Sequence, residues 1–153
     1  TAAVTVAVIV ATVAVVVASV AVAAATGHPL REHAQRLLRR AVVEERSLFV
    51  PRLFAAEVAS ALRRASFHGA LTQEAAEKAL DLLLKLPWIY AKDEELALAA
   101  LRWSSKLGQA RAYDAFYVAL AEKKRALLWT ADARLVQGLR ALGFLGVKGL
   151  EEA

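Results

Sequence analysis

The chain has 153 residues, 58% of them apolar and 23% charged, which fits one globular domain over 1–153 and excludes an intrinsically disordered chain. Cysteine is absent, so a disulfide framework, a thiol nucleophile and any cysteine-ligated metal are excluded, and a reducing, cytoplasmic setting is expected. Net charge is +5, from 20 Lys and Arg against 15 Asp and Glu, which permits an anionic partner such as RNA without requiring one.

Residues 1–26 contain only Ala, Val, Thr, Ile and Ser. Three readings fit so uniform a stretch. Its length satisfies a membrane span, but its β-branched content favours a buried strand, and the strand reading is preferred. The third is that small residues stand there in place of side chains of unknown identity. No methionine is present, so Thr1 is not expected to be a natural start.

Beyond Gly27 the pattern is regular. Leu30, Ala34, Leu37, Leu38 and Ala41 form a helical stripe over 30–42, with Arg36 and Arg39 outward. A short strand at 48–50 leads to Pro51, placed in the first turn of a helix over 52–66. Gly69 breaks that helix, and Thr72 caps another that stops before Pro87. A strand at 88–91 precedes a helix capped by Asp93 and closed by Gly108. A helix over 112–124, a strand at 126–130, a helix over 132–142 and a last strand at 144–147 complete the chain. Apolar strands alternating with helices predict an α/β fold with a parallel sheet covered on both faces, and a functional crevice at the carboxyl ends of its strands.

Three acids interrupt this core pattern. Glu57 shares a helical stripe with Phe54, Val58 and Ala61, Asp114 sits among Tyr113, Phe116 and Tyr117, and Asp132 follows Leu127, Leu128 and Trp129. Buried carboxylates are costly unless compensated. Asp114 and Asp132 can each cap the helix they open, and Glu57 can pair with a buried arginine. Taken together, three carboxylates in one crevice point to a hard divalent cation, Mg²⁺ or Mn²⁺, held through oxygen with water and substrate phosphate. Such a metal activates water for in-line attack on a phosphodiester. His28, His33 and His68 lie outside the acid clusters and read as loop or surface residues. No phosphate-binding glycine loop and no serine-hydrolase elbow occurs. Tyr113, Tyr117 and Trp103 can stack on bases, though aromatics at helical spacing are more often core.

The blocks "VPRLFAAEVASAL", "AYDAFYVALAE" and "LLWTADARL" resemble a PIN domain, and specifically the VapC-type toxin ribonucleases, over residues 30–148. The resemblance implies a three-layer α/β/α sandwich, endoribonuclease activity with Mg²⁺ or Mn²⁺, a VapB-type antitoxin that covers the site, and a homodimer. It places Glu57, Asp114 and Asp132 on the family's acidic positions, with Thr130 as the hydroxyl residue before the last acid. The family's first acid ends the first strand, ahead of Ala-Ser or Thr-Asn. Here Ala18 and Ser19 put Val17 in that place, and the alternative register through Thr12 puts Ala11 there. Neither residue binds a metal. A catalytically silent PIN-like scaffold is therefore the competing expectation. Arg36, Arg39, Arg63 and Arg64 are the candidates for steering RNA.

Overall fold

In the computed structural model, residues 13–153 are described, and the segment 1–12, including Ala11, lies outside them. Five strands form one sheet: β1 (Val13–Val16), β2 (Ser47–Pro51), β3 (Trp88–Ala91), β4 (Leu127–Thr130) and β5 (Val147–Gly149). Their order is β3-β2-β1-β4-β5 and every pairing is parallel. Val15 and Val16 point to opposite faces of β1, yet both are fully buried, so both faces of the sheet are covered. The α/β sandwich expected from the sequence is the observed fold.

Seven α-helices are present among the described residues: α1 (Ala18–Ala25), α2 (Arg31–Val43), α3 (Leu53–Phe67), α4 (Gln73–Leu84), α5 (Ala97–Lys106), α6 (Tyr113–Lys124) and α7 (Ala133–Ala141). Helix α6 packs against β1, β2 and β4 and is flanked by α5, whereas α1 packs against α2 and α3. Phe54, Val58 and Leu62 of α3 and Ala115, Val118 and Ala121 of α6 are buried, the 3–4 spacing that turns one helix stripe to the core. Phe54 packs on Trp88 with ring centroids 4.7 Å apart, tying α3 to β3.

Several expectations need correction. Among the described residues of the Ala/Val stretch, the strand reading holds for Val13–Val16, whereas Ala18–Ala25 is helical. Alanines in that stretch carry the helix, and burial of Val20, Ala21 and Ala23 against neighbouring helices outweighs the weak helix propensity of valine. No described helix is long and apolar enough to cross a membrane. Pro51 ends β2 instead of opening α3, since its fixed φ suits a strand end equally well. Asp93 opens a 3₁₀ turn, Asp93–Glu95, without capping it through its side chain, and α5 starts only at Ala97. The last strand is Val147–Gly149, three residues later than its pattern suggested. Thr72 does cap α4, its hydroxyl accepting from the Ala75 amide at 3.0 Å.

The chain visits β1, β2 and β3 outward in one direction and then returns to the other side of β1 for β4 and β5. The switch point is the gap between β1 and β4, where crevices open at the carboxyl ends of parallel strands.

Candidate active site

Val17 follows β1 and donates its amide to the Trp129 carbonyl at 3.0 Å, so it stands at the carboxyl end of the sheet beside the end of β4. A pocket of about 360 Å³ opens there, lined among others by Val17, Ser19, His28, Glu57, Asp114 and Asp132. Three acids from three different elements thus meet at the topological switch point.

Each acid is held differently. Glu57, half-buried on α3, accepts a hydrogen bond from the Tyr117 hydroxyl at 2.6 Å. The alternative of an arginine pair is not what the structure shows: among the described residues Glu57 has no ion-pair partner, and a tyrosine from the core bonds it instead. Burial raises the Glu57 carboxyl above its ordinary value, the tyrosine hydrogen bond opposes this, and the charges of Asp114 and Asp93 add to the rise. Tyr117 is fully buried, and desolvation together with the Glu57 charge keeps its hydroxyl protonated. It is therefore a fixed donor.

Asp114 lies in the first turn of α6, where Ala112 is the N-cap and makes no side-chain cap bond. Capping does not explain Asp114. Burial, and then the nearby charge of Asp132, raise its carboxyl as well.

Asp132 is the N-cap of α7, and its Oδ1 accepts from the Arg134 amide at 2.9 Å and the Leu135 amide at 3.4 Å. For this residue the capping reading is right. It is also exposed, not buried as the flanking leucines suggested. Capping engages Oδ1 and leaves the other oxygen to the pocket. Thr130 is fully buried and works from behind, accepting from the Asp132 amide at 3.1 Å. Ser19 accepts from the Ala131 amide at 3.1 Å and lies 3.4 Å from the Thr130 hydroxyl. Together Ser19 and Thr130 fix the turn that presents Asp132, across 111 positions of sequence.

His28 was expected away from the acids, but it lines their pocket. Its Nδ1 accepts from the Leu30 amide at 3.0 Å, which orients the ring. No local signal in the sequence marks it, because its position depends on α1, which the Ala/Val stretch concealed. Asp93 was also misread. It stands two residues beyond β3 as Asp132 stands two beyond β4, and that parallel was legible. One Asp93 oxygen is buried without a hydrogen-bond partner.

The arginines divide. Arg64 lines the acid pocket. Arg63 turns away, bonding Ser66 and Gln73 and resting over the Phe67 ring. Arg36 and Arg39 line a separate groove along α2. Among the aromatics, Tyr117 and Trp103 are buried in the core, whereas Tyr113 is exposed.

The three acids offer carboxylate oxygens to the pocket, and burial and like-charge repulsion raise two of these carboxyls. That chemistry fits a hard divalent cation. Val17, which also lines the pocket, offers no ligand, and no group of three acids or histidines among the described residues converges closely enough to hold a metal as it stands.

Comparison with known proteins agrees with this architecture. No curated protein matches the sequence. Among solved structures, the crystal structure of PAE2754 from Pyrobaculum aerophilum superposes with a TM-score of 0.69 at 23% identity, covering 93% of this chain and 86% of that one. That likeness concerns the fold. The family description "PIN domain" matches residues 14–138, from β1 through the acids to the middle of α7. With its sheet order, its switch-point crevice and its acids accounted for within that span, the chain belongs to the PIN domain family.

Proposed function

We propose that this protein is a metal-dependent endoribonuclease, the toxin of a VapBC-type pair. PIN domains are generally nucleases. The observation that carries the reading is the meeting of Glu57, Asp114 and Asp132, from α3, α6 and the β4–α7 turn, in one pocket at the carboxyl end of the sheet. Those three residues would hold Mg²⁺ or Mn²⁺. When bound, the ion lowers the pKa of water and neutralises charge building on the phosphodiester. The chain's own part is positional. Tyr117 fixes the Glu57 rotamer, Ser19 and Thr130 fix the backbone that carries Asp132, and burial of Asp114 strengthens its electrostatic reach.

Asp114→Asn tests this directly. It should abolish Mn²⁺-stimulated RNA cleavage while leaving the circular dichroism spectrum intact. Cleavage equal to that of the parent would remove the assignment. The same reading includes a VapB-type antitoxin covering the crevice, a homodimer and a cytoplasmic location. Co-purification with a small neighbouring-gene product, and mass determination in solution, check the first two.

One observation favours a second reading, a non-enzymatic PIN-like binding module: Val17 occupies the place of the first acid and is 3% exposed. Peptide mass spectrometry across residues 1–31 establishes whether valine is the residue made. If it is, Val17→Asp discriminates between the two readings. Burying a further carboxylate should lower the melting temperature of the metal-free protein, and Mn²⁺ should restore it and bring cleavage with it. A variant that Mn²⁺ neither stabilises nor activates supports the binding module.

A further inference from the structure

A second groove, of about 470 Å³, adjoins the acid pocket on the α3 side and shares Glu57 and Arg64 with it. It falls in the usual size range of ligand sites. Glu57, Ser60 and Arg64 present one face of α3 at successive helical turns, and the opposite wall is Arg111 and Tyr113 at the entry to α6. Both arginines are exposed, and neither belongs to an ion pair among the described residues. Tyr113 is 56% exposed, although its neighbours Ala115 and Tyr117 on the same helix are fully buried. An exposed aromatic ring beside two free guanidinium groups, continuous with a carboxylate pocket, has the composition of a single-strand nucleic-acid subsite. Guanidinium groups take backbone phosphates, and an aromatic face takes a base irrespective of its sequence.

We infer that Arg64, Arg111 and Tyr113 form a substrate subsite for unpaired RNA on the Glu57 side of the acids. The arginines hold a phosphate next to the one at the carboxylates, and Tyr113 stacks the adjoining base. The alternative occupant with matching charge is an acidic peptide. The tyrosine platform and the direct continuity with the acids favour the nucleic acid. This subsite rests on the nuclease reading for its biological meaning, but its test does not require turnover.

The experiment is fluorescence anisotropy of a labelled, unpaired oligoribonucleotide of about ten residues. It uses the full chain carrying Asp114→Asn, with EDTA present so that neither cleavage nor metal contributes. Adding Arg111→Ala should weaken binding about tenfold and reduce the dependence of log affinity on log salt by about one. Adding Tyr113→Ala should weaken it about tenfold with the salt dependence unchanged, and Tyr113→Phe should restore the parent affinity. Lys85→Ala at the C-terminal cap of α4, which removes the same charge elsewhere, should have little effect. Four outcomes overturn the subsite: no RNA binding by the parent protein, unchanged affinity in both Arg111→Ala and Tyr113→Ala, equal affinity for a duplex of the same length, or competition by an Asp/Glu-rich peptide that depends on Arg111 but not on Tyr113. Failure of the nuclease reading shows separately. A wild-type protein that cleaves no RNA with Mn²⁺, yet gives the expected binding series, keeps the subsite and loses the enzyme. Cleavage with an unresponsive binding series does the reverse.

Discussion

Tyr117 shows how much one side chain settles at this site. Its ring belongs to the core, fully buried on α6, and its hydroxyl reaches the one acid that sits in the middle of a helix with no capping role. Tyr117→Phe keeps the ring and removes the donor. The protein should remain folded, with a loss of about 1 kcal/mol. Because that hydrogen bond is what holds the Glu57 carboxyl down, its removal should move the acid limb of the cleavage–pH profile to higher pH. An unchanged profile would mean that Glu57 does not report on catalysis. The sequence places Tyr117 in the core but gives no indication of its partner, since the two residues are 60 positions apart. Asp132 presents the opposite case. Its capping role can be read from its place before α7, whereas its exposure cannot, because the leucines before it belong to a strand that ends two residues earlier.

Among the elements, the helices with charged outer faces were legible and α1 was not. In α2, Arg and Glu mark the solvent side and Ala34, Leu37, Leu38 and Ala41 the buried side. In α1 there is no polar face to contrast with the apolar one, so periodicity carries no information and β-branching points the wrong way. The missing α1 also hid His28, which follows it into the pocket. Helix ends carry their own signals. Helix α6 terminates at Arg125 in the left-handed conformation, φ 50°, a position where a Cβ is unfavourable and glycine is the usual choice. Arg125→Gly should stabilise the protein by about 1 kcal/mol without touching the site, as measured by urea denaturation with an unchanged slope. A decrease in stability would mean that the arginine side chain contributes more than its backbone costs.

At the scale of the whole molecule, the parallel order and its crevice follow from alternation of strand and helix, which the sequence displays plainly. The lack of an acid at the first-acid place is also plain in the sequence, because both registers that resemble the family, through Val17 and through Ala11, put an apolar residue there. What alternation does not reveal is electrostatic cost. Glu57 and Asp114 bind protons more tightly in the folded protein than in the unfolded chain, whose ordinary values are 4.5 and 3.8. Their contribution to stability is therefore complete below about pH 4 and is lost as pH rises through the elevated folded values. This is the reverse of the usual salt-bridged carboxylate. Glu57→Gln and Asp114→Asn should each raise the melting temperature at pH 7 by about 2–4 °C, equivalent to roughly 1 kcal/mol for a domain of this size after allowance for solvent screening. The gain should vanish near pH 4, and calorimetry at the two pH values decides it. Mn²⁺ should narrow the gap between parent and variant at pH 7 by stabilising only the parent.

The strand order β3-β2-β1-β4-β5 also bears on how the protein is made. Among the described strands, β1 and β2 come earlier in the chain and lie inside the sheet, and the later three close on them from both flanks like the arms of a clamp. Without those arms, a β1–β2 pair would be a narrow apolar ribbon with two open edges, an arrangement prone to pair with another chain. The pocket itself is also late to form, because Glu57 follows β2 closely in the chain whereas Asp114 and Asp132 come only with α6 and the β4–α7 turn. On the nuclease reading, a chain that stops before α6 would thus carry an open sheet edge and an incomplete acid site.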